Sequence, residues 1–167
     1  INFVDTARVY GDSEIKIGKA IKHRKDEFFL ATKTPKLDMQ GAMEDIETSL
    51  RNLQVDCIDL YQLHNVSTPE RFRAVMSEDG AIAALRKARE QGKIRHIGIT
   101  IHQALDVMQE AIALGEFETI MLLINILDEE AVIDQVLPQA KEAGIGVIAM
   151  KALSGGKLVP PGADSND

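Results

Sequence analysis

The sequence has a single cysteine, Cys57, and no tryptophan, and aromatic residues make up only 4% of its 167 positions. One thiol excludes an internal disulfide and makes a reducing cytoplasm the simplest setting; Cys57, inside an apolar run, reads as a small core residue. No apolar run approaches the ~20 residues that a membrane-spanning helix needs, and no signal peptide is visible. Nowhere do five basic residues stand together. With 26 acidic and 19 basic residues the net charge is -7, which argues against a nucleic-acid surface. It leaves room for a phosphorylated cofactor, which a few backbone amides and one or two cations can hold. What remains is 45% apolar and long enough for one domain with a sizeable core, so a soluble enzyme or binding domain is the default class. The chain begins at Ile1, already within a strand-like run, and is read as part of a longer protein, with processing as the alternative.

The stretch Ile1 to Gly11 carries the first functional signal. Ile1 to Asp5 is apolar and β-branched, a short buried strand that the chain leaves at Asp5-Thr6-Ala7. A carboxylate there is either a cap or a catalytic group, and Tyr10 follows five residues later in the loop. Two further runs repeat the pattern. Residues 28–32 end in Lys33, and residues 57–63 end in His64. In a parallel sheet the ends of successive strands share one face, so Asp5, Tyr10, Lys33 and His64 are expected to be neighbours.

The rest of the chain alternates in the same way. Ser13 is a good N-cap for a short helix containing Ile17, Gly18 and Ile21, which ends in the basic run of residues 22–25, read as a solvated helix end. Pro35 stops the second strand. Met39, Met43, Ile46, Leu50 and Leu53 have helical spacing and mark a helix over 39–52; the methionines are core filler, not a metal site. A long loop is expected over 65–79, beside His64. Then come a helix over 81–91, a strand over 94–99, a helix over 103–114 and a strand over 119–124. A helix interrupted by Pro138 and a last strand over 146–151 complete the series. The tail, 159–167, is expected to be irregular. Strict alternation implies parallel strands joined by right-handed crossovers. An open dinucleotide-binding sheet would carry G-x-G-x-x-G after its first strand, and Asp5 to Gly11 does not. Candidate groups at several strand ends favour instead a TIM (β/α)8-type barrel, incomplete, of about six parallel βα units.

Such groups define a chemistry. A phenol of pKa ~10 is a poor acid at neutral pH, and an adjacent lysine ammonium is expected to lower that value while Asp5 keeps the lysine charged. Tyr10 would then give a proton to an oxygen gaining negative charge, with His64 orienting that oxygen. A site of this kind, without metal or nucleophile, suits carbonyl reduction by hydride from a cofactor, or its reverse.

At this point a resemblance is specific. FVDTARVYG at 3–11, ATK at 31–33, SLRNLQVDCIDLYQLH at 49–64, GKIRHIGIT at 92–100 and GIGVIAMKALSGG at 144–156 resemble the aldo-keto reductases, from Ile1 to about Leu158. The wording is closest to a bacterial branch often fused to an iron-sulfur domain, for which no cysteine cluster exists here. The resemblance implies a (β/α)8 barrel, carbonyl reduction with NADPH (NADH as the alternative), and a tetrad of Asp5, Tyr10, Lys33 and His64. It places Thr100 near the nicotinamide carboxamide, with Asn125, Met150, Lys151, Leu153 and Gly155 as further cofactor positions. Three positions depart from the family: Ile101 stands where Asn is usual, Met121 where Gln is, and Met150 where an aromatic is. The six strands match the family's second to seventh, so the first and last βα units are missing, and with them the contacts to the adenosine 2′-phosphate. The open side of such an arc is expected to be covered by a missing segment or by self-association. Asp59 and Arg95 are expected to pair structurally, and His23, His96 and His102 have no assigned role. The partner is a small carbonyl compound, not nucleic acid or membrane. The competing readings are a nicotinamide-binding regulatory module and an inert truncated chain.

Overall fold

The computed structural model describes residues 2–125 and 132–154. Six strands form one wholly parallel sheet in chain order: β1 (Phe3–Asp5), β2 (Phe29–Thr34), β3 (Ile58–Leu63), β4 (Ile94–Ile101), β5 (Thr119–Leu123) and β6 (Gly146–Met150). The helices between them are α1 (Ser13–Ile21), α2 (Met39–Leu53), α3 (Pro69–Met76), α4 (Ala81–Glu90), α5 (Leu105–Ala113) and α6 (Leu137–Glu142). Sequential parallel pairing curls the sheet into a half-barrel, as the expected α/β barrel fragment requires.

The two faces of the sheet differ because side chains alternate along each strand. Tyr61, Leu63, Ile97, Ile99, Ile101, Ile120 and Leu122 join the core beneath the helices, to which α2 contributes Ala42, Ile46, Leu50 and Leu53. The opposite, inner face runs in register through Lys33, Gln62, Gly98, Thr119 and Gly146. This face is open at the N-terminal end of the strands, where the rings of Phe3 and Phe29 stack 5.3 Å apart and stay exposed.

Several local expectations change. The region expected as a long loop holds α3: Thr68 caps it by accepting from Arg71 N at 3.2 Å, Pro69 opens its first turn, and Phe72 and Val75 are buried. Asp12, not Ser13, precedes α1, and the Ser13 hydroxyl instead accepts from Thr6 Oγ1. Pro138 does not break a helix. It lies in the first turn of α6, directly after a π-helical turn over Val132–Val136, so the helical path continues through it while its regular α-helical pattern is interrupted just before it. The helix expected from 103 starts at Leu105, because Ala104 is left-handed at φ 86°. Cys57 lies just ahead of β3 and is half-buried. Arg95 does pair with Asp59, whose other oxygen accepts from Leu30 N at 2.8 Å. The tail from 159 and Gly155 lie outside the described residues.

Close packing of α1 on α2 depends on Gly18. A Cβ there would stand 2.4 Å from Asn52 O and 2.7 Å from Leu53 C, both backbone atoms that cannot swing away. Gly18→Ala is therefore expected to destabilise the fold by about 1–3 kcal/mol, the usual cost of overpacking, measured as a lowered urea midpoint at unchanged slope.

Candidate active site at the strand ends

All strands are parallel, so their C-terminal ends gather on one rim. Asp5 closes β1, Lys33 is the penultimate residue of β2, and His64 follows β3 directly, its N–H continuing the ladder to Thr34 O at 2.9 Å. Lys33 thus belongs to β2 rather than following it, and it is 1% exposed. Its Nζ donates to Asp5 Oδ2 at 2.5 Å and to Thr6 O at 2.7 Å. The second Asp5 oxygen accepts from Gln62 Nε2 at 3.1 Å. Asp5 is therefore an acceptor for two buried inner-face side chains and not a helix cap.

Tyr10 stands over this pair. The Lys33 ammonium lies 5.4 Å from the centre of its ring, and the His64 ring meets it edge-on, centroids 5.9 Å apart at 87°. The four residues picked from strand ends are thus brought together. Their electrostatics differ from expectation in one respect. Tyr10 is raised, not lowered, from its ordinary value: burial dominates and the Asp5 carboxylate adds to it. Lys33 directs its ammonium to Asp5 and the Thr6 carbonyl, so its charge is largely spent before it reaches the phenol. Burial lowers Lys33, and Asp5 opposes that. His64 falls to about 4 through burial and then the positive charges of Lys33, His102 and Arg71, so its imidazole is neutral at pH 7.

The candidate cofactor residues continue along the same rim. Thr100, buried near the end of β4, accepts from Asn65 N at 2.7 Å, which leaves its hydroxyl proton to donate elsewhere. Asn125 is buried two residues beyond β5. Met150 ends β6, and Lys151 and Leu153 follow it, both exposed, with Lys151 left-handed at φ 54°. A hydroxyl donor, a primary amide and a thioether along one rim fit the carboxamide and ring of a nicotinamide.

The model of the aldo/keto reductase family matches residues 1–167. The chain belongs to that family. Aldo-keto reductase YhdN of Bacillus subtilis (strain 168) is 34% identical over 95% of the chain and 50% of its own length. The NADH-specific methylglyoxal reductase of Escherichia coli (strain K12) is 29% identical over 99% of the chain and 59% of its length. A Klebsiella pneumoniae aldo/keto reductase, in complex with NADP and acetate, superposes with a TM-score of 0.78 at 25% identity, covering 96% of this chain and 56% of that one. This aldo-keto reductase chain spans about half the length of the curated relatives it matches.

Two features of the candidate site were missed in the sequence. Gln62 sits between Lys33 and Gly98 in the inner row, and its Oε1 is buried without a partner among the described residues. Its position two residues before His64, on the alternate of a strand facing inward, was the available signal. The other is the loop over 65–68, locked by Ser67 Oγ donating to Asn65 Oδ1 and accepting from His102 N, both at 2.8 Å.

The shift of His64 has a measurable consequence. An unfolded histidine titrates near ~6.5, whereas folded His64 titrates at about 4. Between those values the unfolded chain binds a proton that the folded chain refuses, so stability falls as pH drops through that window. His64→Gln removes this contribution. Thermal melts between pH 7 and 4 are expected to fall less steeply in the variant, with the remaining slope carried partly by His102, lowered mainly by burial. Equal slopes would place the linkage elsewhere.

Proposed function

We propose that the chain carries the reductive site of an NAD(P)H-dependent aldo-keto reductase acting on an aldehyde or ketone, with Asp5, Tyr10, Lys33 and His64 as its catalytic residues. The observation that carries this reading is the pair of buried Lys33 with the more exposed Asp5 beneath the Tyr10 ring, with neutral His64 at the ring's edge. When bound, a reduced nicotinamide supplies hydride to the carbonyl carbon. Tyr10 holds the proton for the carbonyl oxygen, and its raised pKa keeps the phenol protonated at neutral pH. The phenolate left behind faces the Lys33 ammonium and, because Tyr10 is half exposed, regains a proton from solvent. Neutral His64 orients the carbonyl oxygen by hydrogen bonding. Thr100, Asn125, Met150, Lys151 and Leu153 would hold the nicotinamide side of the cofactor, and Gly155 a further part of it. Binding of NADP by the Klebsiella pneumoniae neighbour supports NADPH, and the NADH-specific Escherichia coli relative keeps NADH as the alternative.

The test is fluorescence titration of the 167-residue chain with NADPH and with NADH, followed by cofactor oxidation with a panel of small carbonyl compounds. Saturable binding, and turnover reduced roughly 10²–10⁴-fold in Tyr10→Phe, is the expected result. Full activity in a Tyr10→Phe variant that binds cofactor overturns the assignment. Binding without turnover supports the regulatory reading instead, and no binding supports an inert chain.

The exposed Phe3–Phe29 stack and the edges of β1 and β6, which pair with no further strand among the described residues, support a second proposal, that the isolated chain self-associates through its open side. Light scattering is expected to report a species larger than the monomer; a monodisperse monomer contradicts this.

A further inference from the structure

Behind the rim, on the helix side of the sheet, lies a second charged cluster that takes no part in the chemistry proposed above. Glu14, in the first turn of α1, is 1% exposed. Its Oε1 accepts from Thr32 Oγ1 at 2.8 Å and Ser49 Oγ at 2.7 Å. Its Oε2 accepts from Asn52 Nδ2 at 3.1 Å and Arg8 Nη1 at 2.5 Å. Arg8 Nε points to Asp45 Oδ1 at 3.4 Å, and Asp45 Oδ2 accepts from Thr34 Oγ1 at 2.6 Å. Ser49 Oγ lies 3.2 Å from the hydroxyl of buried Tyr61.

The elements joined in this way are those that present the proposed tetrad. Thr32 and Thr34 flank Lys33 in β2; they face the helices while Lys33 faces inward. Arg8 lies between Asp5 and Tyr10 in the loop, and its own N–H donates to Lys33 O at 3.0 Å. The loop is folded tightly onto this anchor, with Tyr10 N donating to Ala7 O and Ser13 N to Tyr10 O, and Gly11 left-handed at φ 57°. A buried ion pair loses in desolvation most of what it gains in attraction, so its contribution is in choosing one arrangement over others. All four polar contacts to Glu14 are satisfied only when the loop, β2, α1 and α2 stand as they do.

Resting on the function proposed above, we infer that Glu14 and Asp45 are positioning residues: acting through Arg8, they fix the Asp5–Tyr10 loop against β2 and so hold Tyr10 over Lys33 and beside His64. Neither touches the inner face. Their effect falls on the rate of proton delivery rather than on cofactor or substrate affinity.

The sequence supplies a reading of loop position that does not depend on turnover. The chain has two tyrosines and no tryptophan. Tyr61 is fully buried and pushed above the accessible range, mainly by burial. Ultraviolet titration of the phenol in the full chain therefore reports Tyr10 alone. In Glu14→Gln the loop loses its anchor and Tyr10 becomes more solvated. Its midpoint is expected to move down toward the ordinary phenol value, with kcat lower by roughly 10–100-fold and KM changed less than about threefold. Asp45→Asn, at the less buried end of the cluster, is expected to do the same more weakly, and decides the matter if Glu14→Gln does not fold. An unmoved Tyr10 midpoint in a folded variant overturns the inference, as does a moved midpoint with unchanged kcat. If wild-type chain does not turn over, the proposed activity fails on its own account, and the Tyr10 midpoint alone judges whether the loop is anchored by this cluster.

Discussion

A lysine ammonium removed from water keeps its charge only if something replaces the water. For Lys33 that replacement is Asp5 at 2.5 Å and the Thr6 carbonyl at 2.7 Å. The requirement ties β2 to the end of β1, and Gln62 extends it to β3 by holding the second Asp5 oxygen. Tyr10 is placed over the resulting pair. The carboxylate sits close enough to work with burial in raising the phenol, and the ammonium faces its ring. The neutralisation of one buried ammonium thus ties the strand ends of the rim together, and its two charges add to the effect of burial on Tyr10 and His64.

The same rim shows how polarity is divided across a parallel sheet. Toward their C-terminal ends, β2 and β3 place apolar or hydroxyl side chains against the helices and charged or amide side chains inward. Lys33 between Thr32 and Thr34, and Gln62 between Tyr61 and Leu63, are the clearest cases. The helix side has its own charged cluster, in which a carboxylate and a guanidinium meet among hydroxyl groups. Charge is therefore buried on both sides of β2. In each case it is matched across elements distant in sequence, so neither β2 nor α1 nor α2 can shift without leaving a buried group unpaired.

Much of this could be read from the residues. Parallel strands share a rim, so Asp5, Tyr10, Lys33 and His64 were recognisable as neighbours once the apolar runs before them were read as strands, and the crossovers followed from alternation. The helix α3 was hidden because only Phe72 and Val75 anchor it, too few to give a period, although Thr68-Pro69 is a helix start. Glu14 and Asp45 were hidden for another reason. An acid in a first helical turn or on a polar helix face is ordinarily solvated, and only the tertiary arrangement brings Arg8 to them. The sign of the Tyr10 shift was likewise beyond the sequence, since it depends on how far Lys33 is already committed to Asp5.

Strand order equals chain order in this sheet, each strand pairing with the one made just before it. The consequence concerns synthesis. A chain emerging from the ribosome can add one βα unit at a time to an existing edge, without waiting for a distant strand. The proposed proton-handling residues are all present once β3 and His64 have been added, whereas the proposed nicotinamide contacts begin at Thr100 and arrive with β4 to β6. The molecule is thus divided along its length: its earlier part can organise the Lys33–Asp5 pair before the part that would receive a cofactor exists.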